Sequence, residues 1–376
     1  MQIARSPFQK RGGKNPFGGR PTVTVALACV LGAAAAPAED LSGPVARPRQ
    51  VLRQEITSAI RLGVSRGFQK LISNQTPSGE FDSSYPVAVN SLVGLAFLAG
   101  GYSLRTGPED YTRALQRGTR ALLSHQGSTG YFDDSRSNMY GHGFATLYLA
   151  ELYGTFGHEA LPVRECLERA LRVIEGSQGP DGGWDYDPAP KFRVGPGRRS
   201  FGASDTSITV CQTMALRAAR NLGIRIDNAV VDRARKYVYR AQNADGGFRY
   251  RQVQLTYINE GSAFPRSAAG VCILYSLGDY NSQAIKKGFD YLRRNYRFPW
   301  SNLFPFYAHY YCAQAMFQAG GEYWNEYFPW ISKALLDEQR SDGGWRAGFQ
   351  ENSMQATAMA LIVLQLPYRF LPIHER

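Results

Sequence analysis

Apolar and polar positions along the chain fall into twelve helical stretches that alternate in kind. Six of them, 51–73, 110–124, 163–175, 229–241, 282–294 and 324–338, carry apolar residues three or four apart with charges on the other face. The six that follow them in turn, 87–99, 140–153, 206–222, 267–277, 307–319 and 354–366, are almost free of charge. A helix with a charged stripe keeps one face in water, whereas a helix that is apolar all round must be buried. The alternation predicts an all-α fold in which an outer ring of helices surrounds an inner one.

Between each outer helix and its inner successor lies a short turn, and the turns repeat. They read QTPSGEF at 75–81, QGSTGYF at 126–132, QGPDGGW at 178–184, QNADGGF at 242–248 and QRSDGGW at 339–345, each a glutamine followed six residues later by an aromatic. Asp closes a turn on its own backbone, Gly supplies positive φ without steric cost, and the Gln amide can satisfy free groups at a helix end. The aromatic folds back as a large apolar staple. Gly182 and Gly183 are expected to include one positive-φ residue.

Successive glutamines are 51, 52, 64 and 97 residues apart, the last interval close to twice the basic period. A degenerate copy is therefore expected near 295–300 (NYRFPW), which gives six units of roughly fifty residues, a period that repeat architectures use. Six helical hairpins with buried inner partners close into an α6/α6 toroid. The Q-x-x-D/S-G-x-W/F turn followed by a small-residue helix resembles the repeat of the squalene cyclase and protein prenyltransferase superfamily, terpenoid cyclase-like toroids, from residue 51 to residue 376.

That resemblance implies a central cavity for an apolar or isoprenoid-like ligand. Its chemistry carries over less readily. Class II terpene cyclases use a D-x-D-D general acid; Asp205-Thr206-Ser207, Asp133-Asp134 and Asp185-Tyr186-Asp187 all depart from it. The Asp-x-Cys zinc pair of the prenyltransferases and the Gly-Cys-Gly-Glu-Gln segment of the thioester proteins do not occur, so no metal and no cofactor are expected.

Residues 1–20 hold five cations and no acid, an apolar small-residue run follows to Ala36, and Ala36-Pro37-Ala38 precedes Glu39-Asp40. This reads as an export leader over 1–38 and a linker over 39–50, with the repeat domain over 51–376 and no membrane span after cleavage. The formal charge of +12 falls to +7 without the leader and is spread through the body, which disfavours nucleic acid as a partner. Of the cysteines outside the leader, Cys166, Cys211, Cys272 and Cys312, three sit in apolar helical runs as small hydrophobes would.

Aligned on their C-terminal ends, the inner helices bring His142, Cys211 and Arg266 to one level, with His309 one residue beyond. Asp205 and His142 are the candidate catalytic residues, and Tyr140, His142, Phe144, Cys211, Tyr307, His309 and Tyr310 the candidate ligand-binding ones. Each has a bland alternative: His142 lies between two glycines where an imidazole can bond a carbonyl, and Asp205 is equally an N-cap. The Pro/Gly-rich stretch 185–204, with Lys191, Arg193, Arg198 and Arg199, is read as a cap over the cavity or a solvated loop. Three functions stay open: a toroid that binds an apolar small molecule, a scaffold that holds a protein partner, and a terpene cyclase or prenyltransferase-like enzyme with non-standard active-site residues.

Overall fold

The computed structural model describes residues 55–156, 162–193, 204–251, 261–346 and 352–374, all within the compact unit Gln50–Arg376. The leader and linker expected over 1–50, and Arg198 and Arg199, lie outside the described residues.

Among the described residues twelve α-helices stand where the hydrophobic pattern places them: α1 (Ser58–Asn74), α2 (Pro86–Ala99), α3 (Glu109–Ser124), α4 (Asn138–Phe156), α5 (Val163–Gly176), α6 (Thr206–Asn221), α7 (Asn228–Ala241), α8 (Phe264–Ser276), α9 (Gln283–Asn295), α10 (Pro305–Ala319), α11 (Gly321–Glu338) and α12 (Ser353–Gln365). The first begins at Ser58 rather than 51, because the Thr57 side chain accepts from the Ile60 amide at 3.2 Å and caps it there.

The even-numbered helices form the inner ring, each touching the next from α2 round to α12, and α12 touching α2 again. Every residue of α2 except Ala88 is buried, as the uncharged pattern requires. The outer helices differ from expectation in one respect. All but α7 pack chiefly on the inner helix before them in the chain, giving the hairpins α2/α3, α4/α5, α8/α9 and α10/α11 and a sixth made by α12 with α1, while α7 packs equally on α6 and α8. The repeat turn joins neighbouring hairpins instead of lying inside one.

Hydrogen bonding explains that offset. Each repeat glutamine donates its Nε2 hydrogens to two carbonyls, one within its own turn and one on the next outer helix. Gln75 reaches Gly79 and Ala114, both at 2.9 Å. Gln126 reaches Gly130 and Cys166 at 3.0 and 2.7 Å. Gln178 reaches Gly182 and Val230 at 2.8 Å, Gln242 reaches Gly246 and Ala284 at 3.0 and 2.8 Å, and Gln339 reaches Gly343 and Gly63 at 2.8 Å. Three residues beyond each helical acceptor stands a basic residue (Arg117, Arg169, Arg233, Lys287, Arg66), whose carbonyl lies against the turn glycine. The glycine at that point has positive φ in all five turns, +94° at Gly182.

The degenerate turn replaces this clasp with aromatic packing. There Tyr296 stands edge-on to Tyr327 and Trp330 of α11, with ring centres 5.6 and 5.1 Å away. At the far end of the toroid the short helix Pro372–His374 touches α4, α6 and α10. Its Ile373 amide donates to Glu151 at 3.3 Å, and Gln318 donates to the Ile373 carbonyl at 3.1 Å. The four described cysteines are free and buried, and no helix among the described residues is long and apolar enough to cross a membrane.

The clasp predicts a difference between two glycines of like φ. A Cβ on Gly182 would stand 2.3 Å from the Arg233 carbonyl oxygen, while one on Gly223 (φ +76°) would meet nothing within 4 Å. Gly182→Ala is expected to cost about 3 kcal/mol, strain plus crowding, and Gly223→Ala about 1 kcal/mol, strain alone. Urea unfolding of the two variants measures the gap, and equal costs would remove the close turn-to-helix contact from the account.

Candidate functional site

A cavity of about 690 Å³ lies where the six inner helices begin, and all six contribute to its wall. Ala88 and Leu92 come from α2, Tyr140 and Phe144 from α4, Ser207 from α6, Pro265 and Arg266 from α8, Tyr307 from α10 and Gln355 from α12. Tyr186 and Tyr250, each two residues past a turn aromatic, reach in from the turns, and Phe298 from the degenerate one. The spacing of 140 and 144 turns both rings toward the axis, since residues four apart share a helix face.

The mouth is apolar and conformationally strained. Tyr85, Leu303 and Phe304 line it and remain 44%, 57% and 40% exposed, an unusual state for large hydrophobes that adjoin one another around an opening. Ser135, Asn138 and Phe304 have φ of +64°, +47° and +59°, so three of the four left-handed non-glycine residues described adjoin this rim. Such backbone is held only where the surroundings over-determine it, and it gathers at ligand sites.

Deeper in, hydroxyls meet a buried acid. The Tyr140 hydroxyl donates to Ser207 Oγ at 2.5 Å, and the hydroxyls of Tyr186 and Tyr250 bond each other. Asp205 lies behind them, fully buried and outside the cavity wall. Its Oδ1 accepts from the Ser207 amide at 2.7 Å and the Ser207 hydroxyl at 2.5 Å, which caps α6. Desolvation raises its pKa; the Ser207, Tyr250 and Tyr186 groups oppose that rise, although none closes a hydrogen bond on Oδ2. The carboxyl is thus a helix cap pushed toward its neutral form, and hydroxyl-bearing side chains separate it from the open space.

Of the residues singled out in the sequence, Tyr140, Phe144 and Tyr307 line the cavity together. Tyr310 and Cys211 belong to the layer below. The Tyr310 ring is edge-on to Phe144 at 6.3 Å, and Cys211 Sγ is 3.2 Å from the Tyr311 hydroxyl, its thiol pushed up to about 12 by burial. Lys191 and Arg193 do not line the cavity: Lys191 lies over the Phe192 ring and Arg193 faces Asp187.

His142 and His309 point elsewhere. The Phe132 amide donates to His142 Nδ1 at 3.2 Å, and His142 Nε2 is 3.1 Å from the Ala170 carbonyl, so both ring nitrogens are committed. Other turns fill the same slot with other acceptors. The Phe81 amide donates to Asn90 Oδ1, Trp184 to Thr209 Oγ1, Phe248 to Ser267 Oγ and Trp345 to Thr357 Oγ1, at 2.9 to 3.1 Å. His309 sits four residues after the start of α10, as His142 does in α4, and bonds Tyr327 through Nδ1 at 3.0 Å. Alignment by height therefore found the right level but not the direction, because two residues along a helix turn a side chain by about 200°. Sequence reasoning missed Tyr186, Tyr250, Ser207, Phe298 and the rim; the shared offset of Tyr186 and Tyr250 from Trp184 and Phe248 was the available signal.

No family profile matches the chain, and no curated protein does. Solved structures do. The type II terpene cyclase MstE from Scytonema superposes over 84% of this chain and 100% of its own, with a TM-score of 0.58 at 13% identity. An inactive α-1,6-mannanase variant from Salegentibacter sp. HEL1_6, in complex with α-1,6-mannotetrose, covers 84% and 100% with a TM-score of 0.60 at 7% identity. An unsaturated glucuronyl hydrolase specific for heparin covers 84% and 97%, also at 0.60, with 12% identity. At these identities the likeness establishes the fold alone, an α/α toroid.

The shared slot makes a prediction for His142. Burial lowers its pKa to about 4, so the folded state excludes a proton that the unfolded chain takes up at about 6.5. Stability is therefore full above pH 6.5 and falls as pH drops toward 4, by about 3 kcal/mol from this residue. His142→Asn can copy Asn90, which also donates to a carbonyl, that of Gly118 at 3.1 Å. Thermal melts from pH 7 to 4 should show His142→Asn near wild type at neutrality with a shallower acid loss, and His142→Leu weaker than His142→Asn by about 2 kcal/mol at every pH.

Proposed function

We propose that the protein binds a long apolar, isoprenoid-like small molecule in the cavity at the starts of its inner helices. One observation carries this reading: about 690 Å³ lies open where the inner helices begin, behind an exposed apolar lip. That volume is within the range of small-molecule sites, and the aromatic wall suits them. A scaffold that works through its outer surface has no use for such a space. The toroid fold supports the reading, since a variant of the Scytonema cyclase was solved with geranylgeranyl dihydroxybenzoate, its substrate, over 85% of this chain at a TM-score of 0.55. The basic leader at 1–38 supports placing the protein in an exported compartment.

The reading is one of binding. Among the described residues no carboxyl lines the cavity, and Asp205 reaches it only through neighbouring hydroxyls. Catalysis by Asp205 is the second reading, favoured by its raised pKa in a fully buried setting. The two separate in one comparison: Asp205→Asn leaves ligand affinity intact if the site only binds, and abolishes any product if the acid acts.

Ala88 is the α2 residue that faces the opening, so Ala88→Trp fills the cavity without emptying the core. A fluorescent geranylgeranyl probe should bind wild type saturably, bind Phe144→Ala more weakly, and lose binding to Ala88→Trp. Probe at 100 times its dissociation constant should stabilise wild type by about 2.7 kcal/mol. Saturable binding that Ala88→Trp leaves unchanged would place the ligand elsewhere, and no binding to wild type alongside capture of a protein partner would favour the scaffold.

A further inference from the structure

We propose that the ligand of this cavity carries an anionic headgroup, met at the mouth by Arg136 and Arg266; the proposal rests on the binding reading above. The charges around the opening are one-sided. Arg136 and Arg266 line it, and among the described residues no aspartate or glutamate does. The described acids beside lining residues in the chain are committed to local structure: Asp185 and Asp187, which flank Tyr186, face Arg251 and Arg193. Asp82 accepts from the amides of Ser84 and Tyr85 and from Asn352 Nδ2, and Asp134 from the amides of Val87, Arg136 and Ser137.

Arg266 is the stronger of the two observations. Its Nε donates to the Phe248 carbonyl at 3.1 Å and its Nη2 to the Gly261 carbonyl at 2.6 Å, which fixes the guanidinium on the wall. No carboxylate within bonding distance pairs with it among the described residues. Burial lowers its pKa, and Asp205, the carboxyl among the groups that oppose that fall, is itself pushed toward its neutral form. A half-buried cation without an acid partner is costly, and an anion arriving with a ligand offsets that cost. A planar guanidinium fixed by two carbonyls still presents donors in a fork suited to carboxylate or phosphate oxygens.

Arg136 stands at the approach to α4, exposed, and no acceptor pairs with its guanidinium among the described residues. All six inner helices also start at the cavity, and helix starts carry partial positive charge, which adds to the same sign. Tyr85, Leu303 and Phe304 place apolar surface beside these cations. The combination fits an amphiphile whose hydrocarbon body occupies the aromatic space while its charged end stays at the rim. Carboxylate and phosphate share that chemistry, so both are tested.

Isothermal titration of the full chain with geranylgeranyl diphosphate, geranylgeranoic acid and geranylgeraniol distinguishes them. The expected result is that one or both anions bind about tenfold tighter than the alcohol, an advantage that shrinks with added salt. Preference for the diphosphate alone identifies a phosphate headgroup; preference for both identifies a general anion site. Arg136→Gln, at an exposed position that bonds nothing else through its side chain, and Arg266→Gln should each lower anion affinity about tenfold and leave the alcohol unchanged. Equal affinity for all three, or anion binding that Arg136→Gln and Arg266→Gln both leave intact, overturns the headgroup proposal while the apolar cavity stands. Failure of all three ligands to bind overturns the binding reading and this one with it. If Arg266→Gln does not fold, Arg136→Gln and the salt series still decide.

Discussion

A primary amide has two hydrogens, and in this protein the repeat glutamines spend them on two different units. One hydrogen closes the turn and the other fixes the next outer helix, as at Gln178 with Gly182 and Val230. Both acceptors are backbone carbonyls, so the geometry does not depend on what side chains the helices carry. That is why turns as different as QTPSGEF and QRSDGGW hold the same shape. The glycine that lets the helix backbone approach and the aromatic buried beneath are consequences of the same contact. Where the glutamine is lost, Tyr296 between Tyr327 and Trp330 provides the junction through packing.

The cavity follows from this arrangement. Because the clasps tie outer helices to turns, the inner helices are positioned by their neighbours rather than by side chains meeting on the axis. Lower in the toroid the axis is filled, with Tyr310 and Tyr311 at 4.8 Å and Cys211 beside them. At the helix starts it is open. The hydroxyls of Tyr140, Ser207, Tyr186 and Tyr250 satisfy one another there, so polar atoms in an apolar wall carry little desolvation cost.

Much of the fold was legible in the sequence because it rests on periodicity. Charge on one face marks α3, α5, α7 and α9, its absence marks α2, α4 and α12, and the five turns carry their own signature. The pairing of hairpins was not legible, since it depends on a hydrogen bond from Gln75 to a carbonyl 39 residues on, and any residue offers a carbonyl. Of the residues that line the cavity, Tyr140 and Phe144 stood out in the sequence by their spacing on one helix face and Tyr307 by the aromatics gathered at the start of α10. His142 and Asp205 drew notice as reactive side chains, but in a repeat protein an acceptor recurs in every unit. Asn90, Thr209, Ser267 and Thr357 occupy the slot that His142 fills, and only side-by-side placement reveals it. Arg136, Phe304 and the rest of the rim lie outside helices, where no periodicity points to them.

The sixth hairpin joins α12 to α1, so the last clasp links Gln339 to Gly63 across 276 residues of chain. On a ribosome that adds about 5 to 20 residues per second, the first helix waits between roughly 14 and 55 s for its partner to be made. Throughout that interval Val64, Phe68 and Leu71, which end up buried, have no inner helix from their own hairpin to cover them. Birth of the protein thus includes a period as an open crescent with two sticky edges. The ring therefore closes only when the last-made helix reaches the first, through α12 on α1 and Gln339 on Gly63.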